Sequence, residues 1–281
     1  METRVASATR EVVIGDNRPT VLIGERINPT GKKKLAESLQ QGNLDIVRDL
    51  ALAQAQAGAD ILDVNVGATG VDEVNLLPQA VKAVMDTVDL PLCIDTASPE
   101  ALEAALRVYR GKALVNSVTG EEASLTQVLP LVKEYGTAVI ALVQDDEGIP
   151  KDAQRRIDNA RQIVARAEAT GIPGEDVIID PLAFTLAAEP DSGLVVLETI
   201  RGIKSKLGVN LTLGASNASF GLPNRELLNT AFLAVSIAAG VNCPIVDVAR
   251  MRPGILATDL ILNRDSYARR YIRAFRERPP K

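Results

Sequence analysis

Acids and amides recur down this chain wherever a short β-branched run comes to an end. In order they are Glu25 and Asn28, Asp63 and Asn65, Asp95, Asn116, Gln144 and Asp145, Asp180, Ser216 and Asn217, and Asp247. An ionised carboxylate accepts two hydrogen bonds side by side, and a carboxamide both donates and accepts. Gathered around one opening, such groups complement a planar heterocycle whose exocyclic amine lies next to a ring N–H. Asp and Asn are also ordinary helix N-caps, which explains any one of these residues better than it explains the whole set. Carboxylates in this number are able to hold Mg²⁺, as in a metal-dependent barrel enzyme using Asp95 and Asp180, but no tightly bound metal is expected. Lysine stands near these positions only at the flanking Lys32 and Lys151, which argues against a Schiff-base aldolase.

The missing residue types narrow the chemistry further. Among 281 residues there is no histidine, which removes the Ser-His-Asp triad, the imidazole base and the histidine metal ligand. Cys93 and Cys243 lie far apart, outside any CxxC pair, and read as small buried core residues of a reduced protein. A net charge of −5 and only 3% aromatic residues supply neither the basic face nor the stacking platforms of a nucleic-acid binder. Met1–Arg10 lacks the apolar core of a signal peptide. The longest apolar stretch, Ala231–Val241, is too short to cross a bilayer, and a cytoplasmic protein is expected.

The polar residues need elements to hold them. Strand-like runs are predicted at Val21–Ile27, Asp60–Val66, Leu90–Asp95, Ala113–Asn116, Thr137–Val143, Asp176–Asp180, Asn210–Gly214 and Pro244–Asp247. Between them, apolar spacing near 3.6 predicts helices at Leu44–Ala57, Val74–Val88, Pro99–Tyr109, Ser124–Tyr135 and Arg155–Ala169. Helical patterns resume at Ser192–Leu207, Arg225–Ala239 and Ile255–Arg276. Gly58, Gly136 and Gly171 follow helical segments, as left-handed C-caps do. Strands alternating with helices imply a parallel sheet covered on both faces. Eight such units in a chain of this length select an α/β fold of the closed (β/α)8 TIM-barrel type over an open doubly wound sheet. No GxGxxG follows the first strand and no P-loop occurs, which weakens a nucleotide site. In such a barrel the active site lies at the C-terminal strand ends, where the acids and amides fall.

Seven segments carry a resemblance: GERINPTG at 24–31, DVNVG at 63–67, LCIDT at 92–96, VNS at 115–117, GIPKD at 148–152, IDPL at 179–182 and GASNASF at 214–220. The Asn224–Arg225 pair and the LILN run at Leu260–Asn263 extend it. In these the chain resembles the methyltetrahydrofolate-dependent corrinoid methyltransferases, the pterin-binding barrel family that includes the folate domain of cobalamin-dependent methionine synthase. The resemblance runs nearly end to end. It implies one pterin-binding barrel domain over residues 1–281, a homodimer, and methyltetrahydrofolate or tetrahydrofolate as substrate. It implies that Asp95, Asn116 and Asp180 bind the pterin ring and that Asn217 lies near N5, the atom carrying the methyl group. Asn65 and Glu25 fall in family motifs at the mouth as supporting residues; Asn217 and Asp95 are the expected catalytic pair. The methyl acceptor it implies is a corrinoid (cobalamin). With no histidine to sit beneath cobalt and no stretch left over for a second domain, that corrinoid is expected on a separate corrinoid-binding protein. Phe220 departs from the acetogenic members, which carry glutamine there, and agrees with the methionine-synthase-like pattern. Two other readings stand beside this one. Dihydropteroate synthase expects a Ser-Arg-Lys loop where this chain has Ser216–Asn217–Ala218, and a folate-binding subunit would bind without catalysis.

Lys32–Lys34 reads as a solvated loop, with the alternative of attracting a folate's glutamate tail. Gly214 and Gly221 bracket the loop after the seventh strand, where many barrels bind phosphate, but side chains of Ser216–Asn217–Ala218 intervene. Arg225 reads equally as orienting that loop, touching substrate, or forming a structural ion pair. Arg269–Lys281 is predicted as a terminal helix with a frayed end.

Overall fold

A hairpin, β1 (Glu2–Ala6) and β2 (Glu11–Gly15), opens the computed structural model, which describes residues 1–277. There follow β3 (Ile23–Ile27), α1 (Lys33–Gln40), α2 (Asp45–Ala57), β4 (Ile61–Val64), α3 (Glu73–Met85), β5 (Leu92–Asp95) and α4 (Pro99–Val108). Next come β6 (Leu114–Thr119), α5 (Glu122–Tyr135), β7 (Ala138–Leu142), α6 (Ala153–Thr170), β8 (Val177–Asp180) and α7 (Ser192–Lys206). The last elements are β9 (Asn210–Leu211), α8 (Arg225–Ala239), β10 (Ile245–Val246), α9 (Val248–Ile261) and α10 (Arg269–Arg276). The eight strands from β3 onward form one parallel sheet in the order β10-β3-β4-β5-β6-β7-β8-β9. The cylinder closes between β9 and β10, where Gly214 bridges Ile245 and the Cys243 and Ile245 N–H groups donate to the Leu211 and Leu213 carbonyls at 3.2 and 3.1 Å. This seam is short, and both its strands are shorter than the sequence predicts.

The two-residue period of a strand sorts the core into two compartments. Leu62, Ile94, Val115, Val139 and Ile179 point outward and pack under the helices. Ile23, Ile61, Cys93, Leu114, Ile140 and Ile178 point into the barrel. Both cysteines are free and buried, as expected. Gly58, Gly136 and Gly171 take φ of 92°, 61° and 91°, so the left-handed caps read from sequence turn the chain from helix to next strand.

The hairpin was hidden by its own composition. Glu2, Arg4 and Glu11 face water while Val5, Val12 and Ile14 alternate with them and join the inward apolar cluster, a pattern too short to stand out in a charged terminus. The hairpin lies across the N-terminal end of the barrel. There Ala6 bridges Lys112, and the Asn210 amide donates to Thr3 Oγ1 at 2.8 Å and to the Ile14 carbonyl at 3.2 Å. Because Ile14 is wholly buried, Ile14→Ala is expected to cost about 2–4 kcal/mol of unfolding free energy, measured by urea denaturation, without changing ligand affinity.

Two further expectations are corrected. The C-terminal pattern is not one helix over Ile255–Arg276: α9 begins at Val248, and the chain passes through left-handed residues Asn263, Tyr267 and Ala268 before α10. The cause is local capping, since the Asp265 carboxylate accepts the Arg270 and Tyr271 N–H groups at 3.0 and 2.9 Å. Of the arginine-rich tail, residues 278–281 lie outside the described residues. Nor is Lys32–Lys34 a solvated loop. Lys33 opens α1, and the half-buried Lys32 ammonium donates to the Asn28, Arg26 and Glu25 carbonyls at 3.0, 3.2 and 3.4 Å. Among the described residues no helix is long and apolar enough to cross a membrane.

Candidate functional site

The inward face of the strands changes character one layer above the apolar interior. Ile23 is followed in phase by Glu25, Ile61 by Asp63, Cys93 by Asp95, Leu114 by Asn116 and Ile178 by Asp180. The period of two that buries the first of each pair therefore brings the second into the barrel mouth. In register, Asp95 pairs with Asn116 and Asp63 with Cys93.

On one side of the mouth these groups are bonded to one another. Asn116 Nδ2 donates to Asp63 Oδ1 at 3.1 Å. Asp95 accepts from the Asn65 amide, whose Oδ1 is in turn fixed by the Gly67 N–H at 2.8 Å. Glu73, at the start of α3, takes the Thr96 hydroxyl at 2.7 Å and adds negative charge beside Asp95. Burial pushes Asp95 up to about 6, opposed by its bond from Asn65 and reinforced by Glu73. Asp63 lies deeper; burial and the neighbouring Asp95 push it well above the usual carboxylate range. Each carboxylate's charge therefore weighs against ionisation of the other.

Across the mouth, burial also pushes Asp180 up to about 6, although the Leu182 and Gly214 N–H groups favour its charge. Its loop is fastened by Arg156, a fully buried guanidinium that donates to the Pro150, Pro181 and Leu182 carbonyls at 2.7, 2.9 and 2.6 Å. Glu25, raised mainly by burial, accepts the Ser216 hydroxyl at 3.4 Å. That contact ties β3 to the turn Ala215–Asn217.

Asn217 is placed differently from the others. Its side chain is exposed on that turn, beside Gly214, and makes no hydrogen bond among the described residues. The turn itself is held by Arg225, whose Nη2 donates to the Ser216 carbonyl at 2.8 Å and Nε to Ser219 Oγ at 3.1 Å. Of the three readings of Arg225, loop orientation is the one observed. The guanidinium also lies over the exposed Phe220 ring at 5.7 Å.

Four other strand-end residues are spent on local structure. Asn28 Oδ1 takes the Thr30 N–H, Gln144 pairs with Glu121, Asp145 holds Arg155 and Asn159, and Asp247 faces Arg26 and Arg250. Among the described residues no group of three or more His, Cys, Asp or Glu side chains is placed to hold a metal ion. Asp63 stood among the strand-end acids of the sequence but was assigned no role, and Arg156 was missed as a site-building residue. Both had a signal: Asp63 is in phase with Ile61, and Arg156 stands at helical spacing on the buried face of α6 with Ala160, Ile163 and Ala167.

Known proteins share this layout. The chain is 33% identical over 265 residues to the methylcorrinoid:tetrahydrofolate methyltransferase of Eubacterium limosum, covering 92% of this chain and 96% of that one. It is 30% identical over 265 residues to the methionine synthase of Mycobacterium tuberculosis, covering 90% of this chain but 22% of that protein. Among solved structures, dihydropteroate synthase of Xanthomonas albilineans, in complex with indole-2-carboxylic acid and 6-chloroguanine, superposes with a TM-score of 0.72 over 93% of this chain and 99% of that one. The Yersinia pestis enzyme with a pterin–sulfa conjugate superposes with 0.70 over 92% and 98%. At 19% and 18% identity these two speak for the barrel. The family model described as pterin binding enzyme matches residues 24–247, from β3 to the residue after β10 and so across every strand that supplies the mouth, and the chain belongs to the pterin-binding enzymes.

Proposed function

We propose that the protein transfers a methyl group between N5 of methyltetrahydrofolate and the cobalt of a corrinoid carried on a separate protein. The observation that carries this reading is the match, over nearly the whole of both chains, to a methylcorrinoid:tetrahydrofolate methyltransferase. The loop after β9 favours it over the dihydropteroate synthase reading. Ser216–Asn217–Ala218 stands where Ser-Arg-Lys is expected, and the likeness to solved synthases is one of fold.

In this reading the ionised Asp95 and Asp180 carboxylates accept the pterin's exocyclic amine and ring N–H groups, and Asn116 supplies the amide partner. Asn65 and Glu25 act behind them, Asn65 by aiming Asp95 and Glu25 by holding the Ser216 turn. A tertiary amine releases a methyl group poorly, because the leaving group would be an amide anion. A proton or a strengthening hydrogen bond at N5 makes it a neutral amine. The N5–CH3 bond breaks as the Co–C bond forms with the cobalt's electron pair, and N5 takes the proton. Asn217, whose side chain is free to bond a ligand, stabilises that change of charge; the ring-binding residues keep the methyl pointing outward. No covalent enzyme intermediate is involved.

The test is anaerobic mixing with methyltetrahydrofolate and cob(I)alamin while the cobalt spectrum is followed. Conversion to methylcobalamin supports the reading; tight folate binding without conversion leaves a carrier, and turnover of a pterin pyrophosphate with p-aminobenzoate leaves a synthase. A pH dependence also follows. Folate binding needs Asp95 and Asp180 ionised, and both titrate at about 6 in the free protein. The dissociation constant should be flat above about pH 7 and rise as pH falls through 6. Its slope should approach two decades per pH unit if both protons must leave, as calorimetry would show.

A further inference from the structure

Asp63 is a buried acid that the proposed methyl transfer leaves without a task. It is 2% exposed and lies one layer below the ligand-facing groups, in register with the wholly buried Cys93. Its Oδ1 accepts from Asn116 Nδ2 at 3.1 Å, a contact that reaches past β5 to join β4 to β6. Among the described residues this is the one side-chain hydrogen bond that Asn116 makes. It settles which way round the amide lies, because an amide turned over would set its own oxygen against that of Asp63. Oδ1 accepts here in either charge state of the acid, since a proton on Asp63 goes to Oδ2.

In the folate reading, on which this inference rests, that orientation decides what the ligand meets. Round its ring a reduced pterin presents N8–H, N1, the exocyclic amine and N3–H in turn. N1 is the one acceptor in that run, with a donor on either side. Asp95 on β5 and Asp180 on β8 flank Asn116 on β6, and as ionised acids they only accept. Of the three, the amide alone can donate to N1, through the Nδ2 hydrogen that Asp63 leaves over.

We propose that Asp63 is a positioning residue that fixes Asn116 with an amide N–H toward the ligand, so that the site selects heterocycles carrying a bare ring nitrogen between two N–H donors. Without an acceptor at position 63 the Asn116 amide is free to turn its oxygen to N1, acceptor against acceptor. One aligned hydrogen bond to the ligand is then lost, about tenfold in dissociation constant. Asparagine at position 63 still carries an oxygen that accepts from Asn116, so the role rests on the acceptor and not on the acid's charge.

The experiment measures tetrahydrofolate binding by calorimetry to the full chain and to Asp63→Leu, Asp63→Asn, Asn116→Ala and the Asp63→Leu/Asn116→Ala double variant, with melting curves to confirm folding. Asp63→Leu should bind about tenfold more weakly and Asp63→Asn within about threefold of the unmodified protein. Added to Asn116→Ala, Asp63→Leu should cost nothing further, because the residue it positions is already gone. An acid that merely supports the barrel would cost the same in both backgrounds; that result overturns the proposal, as does unchanged affinity in Asp63→Leu. Asp63→Asn keeps the side-chain volume and decides alone if the leucine variant does not fold, retained affinity supporting the proposal and a loss of about tenfold or more overturning it. Failure of the unmodified chain to bind tetrahydrofolate overturns the folate reading itself, an outcome distinct from all of these.

Discussion

Asp95→Asn should produce a protein that is more stable and nearly blind to folate. Asp95 titrates at about 6 in the folded chain against an ordinary value of 3.8, chiefly because it is buried. The folded state thus binds that proton more tightly than the unfolded chain does. The charge costs stability above about pH 6 and nothing below about pH 4. Removing it should raise the unfolding free energy at pH 7.5 by about 1–3 kcal/mol, a gain that fades as the pH approaches 4. Asn65 can still donate to the replacement amide's oxygen. The amide's own NH2 group, however, would face ligand donors instead of accepting from them. Two charge-assisted bonds are lost and a donor clash is gained, so tetrahydrofolate affinity should fall at least about 100-fold. Denaturation at two pH values and calorimetry together check both halves. A variant that binds folate normally would remove Asp95 from the pterin site.

Asn217→Ala separates rate from binding. The side chain has no protein partner and is exposed, so its loss should change stability by less than about 0.5 kcal/mol. The pterin is held by Asp95, Asn116 and Asp180, and the folate dissociation constant should stay within about threefold. What disappears is a hydrogen bond that strengthens as N5 changes charge. Loss of one such preorganised group typically costs about 100-fold in rate, and single-turnover methyl transfer to cob(I)alamin would measure it. Equal losses in rate and affinity would reduce Asn217 to an ordinary binding residue.

Much of this molecule was legible in its sequence for a reason visible in the strands. A parallel strand buried on both faces is a short β-branched run, and eight such runs alternating with helical patterns leave few alternatives to a closed barrel. The polar residues in phase with the inward apolar ones, Glu25, Asp95, Asn116 and Asp180, stood out because they interrupt those runs at one end. Asn65 and Asp63 stood in the same strand-end set, but Asn65 drew a role from its motif while Asp63, which the same phase marks, was assigned none. What stayed illegible depended on distant partners. The β1–β2 hairpin gains its meaning from the barrel base it covers, the α9–α10 break from one carboxylate at Asp265, and the buried state of Lys32 from three carbonyls at the end of β3.

The hairpin has a practical corollary for anyone trimming the chain. Residues 24–247, the span shared with the family model, look like a natural fragment, yet the cut would leave the cylinder uncorked. Val5, Val12, Ile14 and Ile23 itself would be gone from around Ile61 and Ile178, and water would reach the lining from below. The same cut would discard at both ends the buried tie in which the Thr20 N–H and hydroxyl donate to the Asp259 carboxylate, at 2.9 and 2.6 Å, and with it the anchoring of the chain just before β3 to α9. A homology boundary is here no folding boundary, and the shortened piece should emerge from expression as inclusion bodies.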